Sequence, residues 1–224
     1  MHFSVYCVRG RQTVLLAAIA LAWGAQIVGC QQKSTMPVLA AELKPIQLPK
    51  PEITAGMPLM QALAQRRTTR TFQDKPLPPQ ALSNLLWAAF GVNRPRSVKA
   101  GLGRTAPSAM NKQDIELDVV LASGVYVYDA EANLLRPVMG GDLRGKVKSE
   151  AAHAAVTIVY VADAKDEFAQ VDTGFIGQNV YLFAASEGLN AWFYTIRGQD
   201  VAAALNLPKE RIPLYAQSTG YPAQ

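Results

Sequence analysis

Pro79-Gln80-Ala81-Leu82-Ser83-Asn84-Leu85-Leu86-Trp87-Ala88-Ala89-Phe90-Gly91 is the stretch from which the fold is read. Leu82, Leu85, Leu86, Ala89 and Phe90 recur at i, i+3, i+4, i+7 and i+8, the spacing of one helical face. Pro79 suits the first turn of a helix and Gly91 its end. Such a face has to be buried against another layer. Upstream, Pro58 opens a short helix over Leu59–Gln65 with Leu59, Met60 and Leu63 on one side, leading directly into Arg66-Arg67-Thr68-Thr69-Arg70. Downstream, Val92 to Ala106 is basic, glycine-bearing and without periodicity, and reads as a loop.

Strands follow that loop. Ile115, Leu117, Val119 and Leu121 alternate with other residues, Gly124 and Val125–Asp129 read as the second arm of a pair closed near Asn133, and Ala155–Val161 is a β-branched run suited to a sheet centre. A helix over Phe175–Glu187 carries Ile176, Val180 and Phe183 on one face, then Gly188, a strand over Leu189–Tyr194, a short helix over Asp200–Leu205 and a last strand over Tyr215–Gly220. Helices and strands mix without strict βαβ alternation. The expected class is α+β, with helices flanking a central mixed or antiparallel sheet. No glycine pattern of the dinucleotide or nucleoside-triphosphate type is present.

The chain has 224 residues, half of them apolar and 17% charged, which fits one medium domain. Residues 1–29 have the shape of a signal peptide: Arg9 and Arg11, an apolar run from Val14 to Val28, then Gly29-Cys30. The run is shorter than the roughly 20 residues a membrane-spanning helix requires. Ile27-Val28-Gly29-Cys30 resembles the lipobox of bacterial lipoproteins, which implies lipidation of Cys30 and an exported, cell-envelope protein facing the periplasm, with Gln31 leaning toward the outer membrane. Residues 30–57, rich in Pro, Lys, Gln and Thr, read as a tether, leaving 58–224 as the folded domain.

Removing Arg9 and Arg11 leaves 20 basic against 17 acidic residues, a balance of +3, with no basic run of the kind that tracks a phosphate backbone. Nucleic acid is therefore not an expected partner. Cys7 departs with the signal peptide and Cys30 is taken by lipid, while His153 is the one histidine after His2. A thiolate nucleophile, a disulfide, a Ser-His-Asp triad or a multi-histidine metal site has too little to work with. The chemistry is expected to come from a cofactor, with no metal.

Two clusters carry the candidate site. Arg66, Arg67 and Arg70 with Thr68 and Thr69 suit a dianionic phosphate, since guanidinium forks make bidentate charge-assisted bonds. The same arginines also suit a solvated helix C-terminus. Pro107, Ser108, Asn111 and Gln113 precede a strand and offer hydroxyl and amide groups on a fixed turn, or form an ordinary turn.

The order R-R-T-T-R-T-F, P-L-P-P-Q-A-L-S-N-L-L-W-A-A-F-G, R-T-A-P-S-A-M-N, G-V-Y-V-Y-D, G-Q-N-V-Y-L-F-A-A-S-E-G-L-N and G-Y-P resembles the nitroreductase superfamily from about Leu59 to Pro222. Leu85–Ala89 and Gly124–Tyr128 resemble its SagB-type branch, which includes thiazoline and oxazoline oxidases, though the Lys-Tyr pair of those oxidases has no match.

The resemblance implies FMN at the interface of an interlocked homodimer and hydride transfer between NAD(P)H, or another donor, and an organic acceptor. Arg66, Arg67, Thr68 and Arg70 match the family's phosphate contacts, Pro107, Ser108 and Asn111 its cofactor turn, and Gly188 and Leu189 the turn whose backbone approaches the flavin. Asn190 replaces the last glycine of that turn. A C-terminal Lys or Arg common in the family has no counterpart after Gly220-Tyr221-Pro222, which loads the phosphate onto the three arginines, with Arg197 as a helper. Lys112 and the arginines from Arg94 to Arg104 are candidates for the charge beside the flavin. Trp87, Phe90, Trp192 and Tyr194 either line the ring or pack in the core. The alternative function is an exported flavin- or ligand-binding module with the same fold and no redox turnover.

Overall fold

The structure, a computed structural model, describes residues 43–97 and 101–223. Cys30 and residues 1–29, expected as a signal peptide, lie outside the described residues.

The first two helices read from the sequence form where expected. α1 spans Leu59–Gln65 and α2 Pro79–Phe90. Pro79 stands in the first turn of α2, Leu82, Leu85, Leu86, Ala89 and Phe90 are buried, and the Gly91 N–H closes on the Trp87 carbonyl at 2.8 Å. A Cβ on Gly91 would stand 2.5 Å from the Trp87 ring, so the helix can end this tightly only at a glycine.

The remaining elements are strands β1 (Ile46–Gln47), β2 (Val92–Ser97), β3 (Gly101–Arg104), β4 (Glu116–Leu121), β5 (Gly124–Asp129) and β6 (Leu134–Gly140); helix α3 (Arg144–Val147); strand β7 (Val156–Asp163); helix α4 (Ala169–Ser186); strand β8 (Asn190–Thr195); helix α5 (Gly198–Ala204); and strand β9 (Arg211–Gly220). Seven strands join in the order β1-β6-β5-β4-β7-β9-β8, every neighbouring pair antiparallel, so the sheet is wholly antiparallel rather than mixed.

β7 lies inside the sheet, between β4 and β9. Val156, Ile158 and Tyr160 face one way, with Leu117 and Val119 of β4, under α2 and α4. Val159 and Val161 face the other, with Val120 and Ala216, under Val147, Val201 and Leu205. A strand covered on both faces reads as an unbroken apolar run, which is why this one was legible. Each Leu or Ile fully buried here contributes roughly 1.5–3 kcal/mol.

Three segments depart from the sequence reading. Residues 92–97 and 101–104, within the stretch expected as a loop, pair as the antiparallel strands β2 and β3, the first of them solvent-exposed beyond Val92 and irregular in register, leaving no apolar alternation to read. β6 follows the turn at Asn133, where the backbone is left-handed (φ 48), and carries Pro137 near a register slip against β5. Residues 43–57, read as tether, run along the domain: β1 pairs with β6, Leu48 is buried, and Asn133 and Ser83 donate side-chain hydrogen bonds to the Pro49 carbonyl at 2.7 and 2.5 Å.

α4 begins at Ala169, six residues before the expected Phe175, because Asp172 and Gly174 disguise its first turns. It ends in a Schellman cap. Gly188 takes φ 66, its N–H reaches the Ala185 carbonyl at 3.4 Å and the Leu189 N–H reaches the Ala184 carbonyl at 2.8 Å. At Gly177 a Cβ would meet the Phe193 ring at 2.8 Å, so this glycine lets α4 lie close on the sheet.

Candidate active site

After α1 the chain straightens and runs beside β8, the edge strand. The Thr69 N–H donates to the Ala191 carbonyl at 2.9 Å, the Ala191 N–H returns to Thr69 Oγ1 at 3.1 Å, and Asn190 Nδ2 donates to the Thr71 carbonyl at 2.6 Å. Phe72 is buried in the core and pins the segment. Arg66 is the C-cap of α1, and Arg67 and Arg70 lie beyond the helix. A favourable helix end therefore does not account for the cluster as a whole.

Arg66 and Arg67 line a cavity of about 490 Å³ together with Thr69, Tyr181, Gly188 and Leu189. The Arg66 guanidinium stands 5.5 Å from the Tyr181 ring centre. The Tyr181 hydroxyl accepts the Phe193 N–H at 2.9 Å and shares a hydrogen bond with Thr68 Oγ1 at 2.9 Å. No carboxylate among the described residues pairs with Arg66, Arg67 or Arg70. Gly188 faces open space, with no atom within 4 Å of where a Cβ would stand.

Arg70 does not line the cavity. Its guanidinium stacks 5.5 Å from Trp192, a ring that Lys148 also approaches at 5.5 Å. Arg197, expected as a helper, pairs with Asp200 at 3.8 Å and lines a different cavity.

The second cluster sits elsewhere. Ser108 Oγ donates to Asp172 Oδ2 at 2.7 Å and accepts the Gln113 N–H at 2.8 Å, while the Ala109 N–H donates to Asp172 Oδ1 at 2.8 Å. Asp172 is fully buried in the first turn of α4. Pro107, Ser108 and Asn111 line a cavity of about 550 Å³ under the β2–β3 hairpin. Asp172 and Ala184 are separated by 12 residues of α4, about 18 Å at 1.5 Å per residue. Within one chain the two clusters thus stand at opposite ends of the helix.

Lys112 lines neither cavity: Nζ bonds to Asp166 at 2.7 Å, which raises the lysine above its ordinary range, and lies 5.2 Å from the Phe168 ring. Arg104 does line the second cavity. It donates to the Phe90 carbonyl at 3.0 Å and Gln113 Oε1 at 3.1 Å, and burial lowers its affinity for its proton. Phe90 and Tyr194 are buried in the core, and Trp87 Nε1 donates to the Val92 carbonyl at 2.9 Å.

Tyr181 and Asp172 are the two site residues the sequence reading missed. Tyr181 lies within the quoted G-Q-N-V-Y segment. Asp172 was hidden by placing the helix start too late; an acidic side chain in a first helical turn is the signal that finds it.

The family model described as nitroreductase family matches residues 63–221. A protein of Methanocaldococcus jannaschii classed as a nitroreductase is 31% identical over 166 residues, 64% of this chain and 80% of that one. A crystal structure of a Ralstonia eutropha protein classed as a nitroreductase superposes with a TM-score of 0.72 at 34% identity, covering 80% of this chain and 90% of that chain. The E. coli microcin synthetase complex shares the fold at 20% identity, with a TM-score of 0.59 over 92% of this chain and 85% of that one. With its antiparallel sheet, flanking helices and ordered motifs, the chain belongs to the nitroreductase family and has the character of a nitroreductase-like oxidoreductase.

Proposed function

We propose that the protein is an FMN-dependent oxidoreductase that passes hydride between NAD(P)H, or another donor, and a small organic acceptor. The observation that carries this reading is the pair Arg66 and Arg67, facing a cavity without a carboxylate partner beside the bare Gly188 turn. Uncompensated guanidinium groups in a partly enclosed site favour a dianion, and each is a fork for phosphate oxygens. The Gly188 and Leu189 N–H groups are spent on the helix cap. That turn therefore supplies room for close approach rather than donors. Thr68 and the Phe193 backbone fix Tyr181, whose ring sets the position of Arg66.

When bound, flavin supplies the two-electron redox chemistry. The protein's part is to hold the phosphate, shape the cavity and exclude water. No cysteine or second histidine in the domain is needed for that part.

A second copy of the chain would complete the site. Pro107, Ser108 and Asn111 are about 18 Å along α4 from the arginine cavity, too far for one chain to bring together. Leu59, Met60 and Leu63 on α1 and Val171 and Phe175 on α4 are exposed, and Gly174 has nothing within 4 Å of its missing Cβ, so a partner helix has an apolar face to approach. Lipidation at Cys30 and residence in the cell envelope are part of the same proposal; they call for membrane-fraction protein with an acylated N-terminal cysteine by mass analysis.

The test is FMN titration of purified protein with sedimentation analysis. Bound flavin in a dimer is expected, with Phe175→Glu yielding monomers that release it. Monomeric wild-type protein that takes up no FMN would overturn the reading.

A further inference from the structure

The hairpin β2–β3 roofs the second cavity and brings two arginines to it. Arg94 pairs across the ladder with Gly103, and Arg104 lies next in β3. A Cβ on Gly103 would fall 2.6 Å from Arg94 Cβ and 3.0 Å from Arg94 Nε. The missing side chain is thus the shelf on which the Arg94 side chain lies. Arg104 is fixed from below by the Phe90 ring, 4.7 Å away, by the Phe90 carbonyl and by Gln113.

The acids at this end of the molecule are engaged elsewhere. Glu131 pairs with Arg96 at 2.8 Å, Asp129 with Arg136, Asp166 with Lys112 at 2.7 Å, and Asp172 holds the Ser108 turn. Neither Arg94 nor Arg104 has a carboxylate partner among the described residues. Two cations held beside a cavity of about 550 Å³, neither of them ion-paired to a carboxylate among the described residues, form a receptor for an oxyanion.

We propose that Arg94 and Arg104 form an oxyanion subsite under the hairpin that takes the carboxylate or phosphate group of an organic ligand. Calling that ligand the substrate rests on the oxidoreductase reading above; the oxyanion site itself does not. Arg94 supplies an open fork, Arg104 a fixed one, and Gly103 sets the angle of the first.

The experiment is calorimetric titration of the full-length protein with para-nitrobenzoate, its neutral amide para-nitrobenzamide, and inorganic phosphate. Arg94→Ala is expected to weaken an anion by about tenfold or more while leaving the amide unchanged, the usual size for a lost hydrogen bond to a charged group. Gly103→Ala keeps both charges but displaces Arg94, and should weaken the same anion. Arg94→Lys should restore part of the binding. A larger loss for para-nitrobenzoate assigns the subsite to a carboxylate, and a larger loss for phosphate to a phosphate-bearing ligand. Equal effects on charged and neutral probes, or none, would overturn the subsite. Colourless protein that still shows the charge-selective loss would leave the subsite standing and remove the oxidoreductase reading; yellow, active protein without it would do the reverse.

Discussion

At the N-terminal end of α4, Asp172 accepts hydrogen bonds from the Ser108 hydroxyl and the Ala109 backbone, and Ser108 also accepts from Gln113; at the C-terminal end, Arg66 and Arg67 face their cavity with no counter-charge. The first arrangement spends its hydrogen-bonding capacity inside the chain and makes structure. The second keeps its capacity for something outside the chain. Residue type alone does not separate the two, since Ser, Asp, Arg and Thr serve either purpose.

A third polar group, on the sheet face turned away from α4, tests the structural side of this comparison most severely. Asp118 on β4 is 2% exposed with its Oδ1 unpartnered, and burial, with Glu116 adding, lifts its carboxyl from 3.8 to about 7. The folded protein therefore holds this proton more tightly than the unfolded chain. The stability that Asp118 contributes is fully present below about pH 4 and is lost as pH rises toward 7, by on the order of 4 kcal/mol for a shift from 3.8 to about 7. Urea unfolding of wild type and Asp118→Asn across that window should show the slope in the first and its loss in the second.

Asp172→Ala should cost about 2–4 kcal/mol in the same assay, because it strands the Ser108 hydroxyl and the Ala109 N–H without their acceptor. Arg66→Ala and Arg67→Ala should each weaken FMN by roughly ten- to a hundredfold while moving the unfolding free energy by less than about 0.5 kcal/mol. Thr68→Val should be the mildest, below about 1 kcal/mol, acting on flavin affinity through the freed Tyr181 hydroxyl. If the arginine variants unfold the protein, or the Asp172 variant leaves it unchanged, the contrast between the two ends of α4 fails.

The fold was legible where burial leaves a period. α2 was read to its last residue because Pro79 and Gly91 bracket an uninterrupted apolar stripe, and β7 because both of its faces are covered. β2–β3, β1 and β6 were not, since exposed or edge strands bury little and are held by ladder bonds that leave no apolar pattern. Of the candidate site, Arg66, Arg67, Gly188 and Leu189, read from two separate motifs, line the same cavity, to which the Schellman cap of α4 brings the second pair. It did not separate Arg70 from them. An extended segment turns successive side chains to opposite sides, and Arg70 went to Trp192. Asp172 and Tyr181 stayed hidden because their roles depend on contacts more than 60 residues away in sequence.

The central claim is that the arginine cavity holds the phosphate of FMN. It is tested most directly by the visible absorbance spectrum of the purified protein and its Arg66→Ala/Arg67→Ala variant after incubation with FMN and desalting. Retained flavin bands in the wild type, lost in a variant that unfolds at the same urea concentration, are the predicted result. A colourless wild type, or a double variant that keeps its flavin, would contradict it.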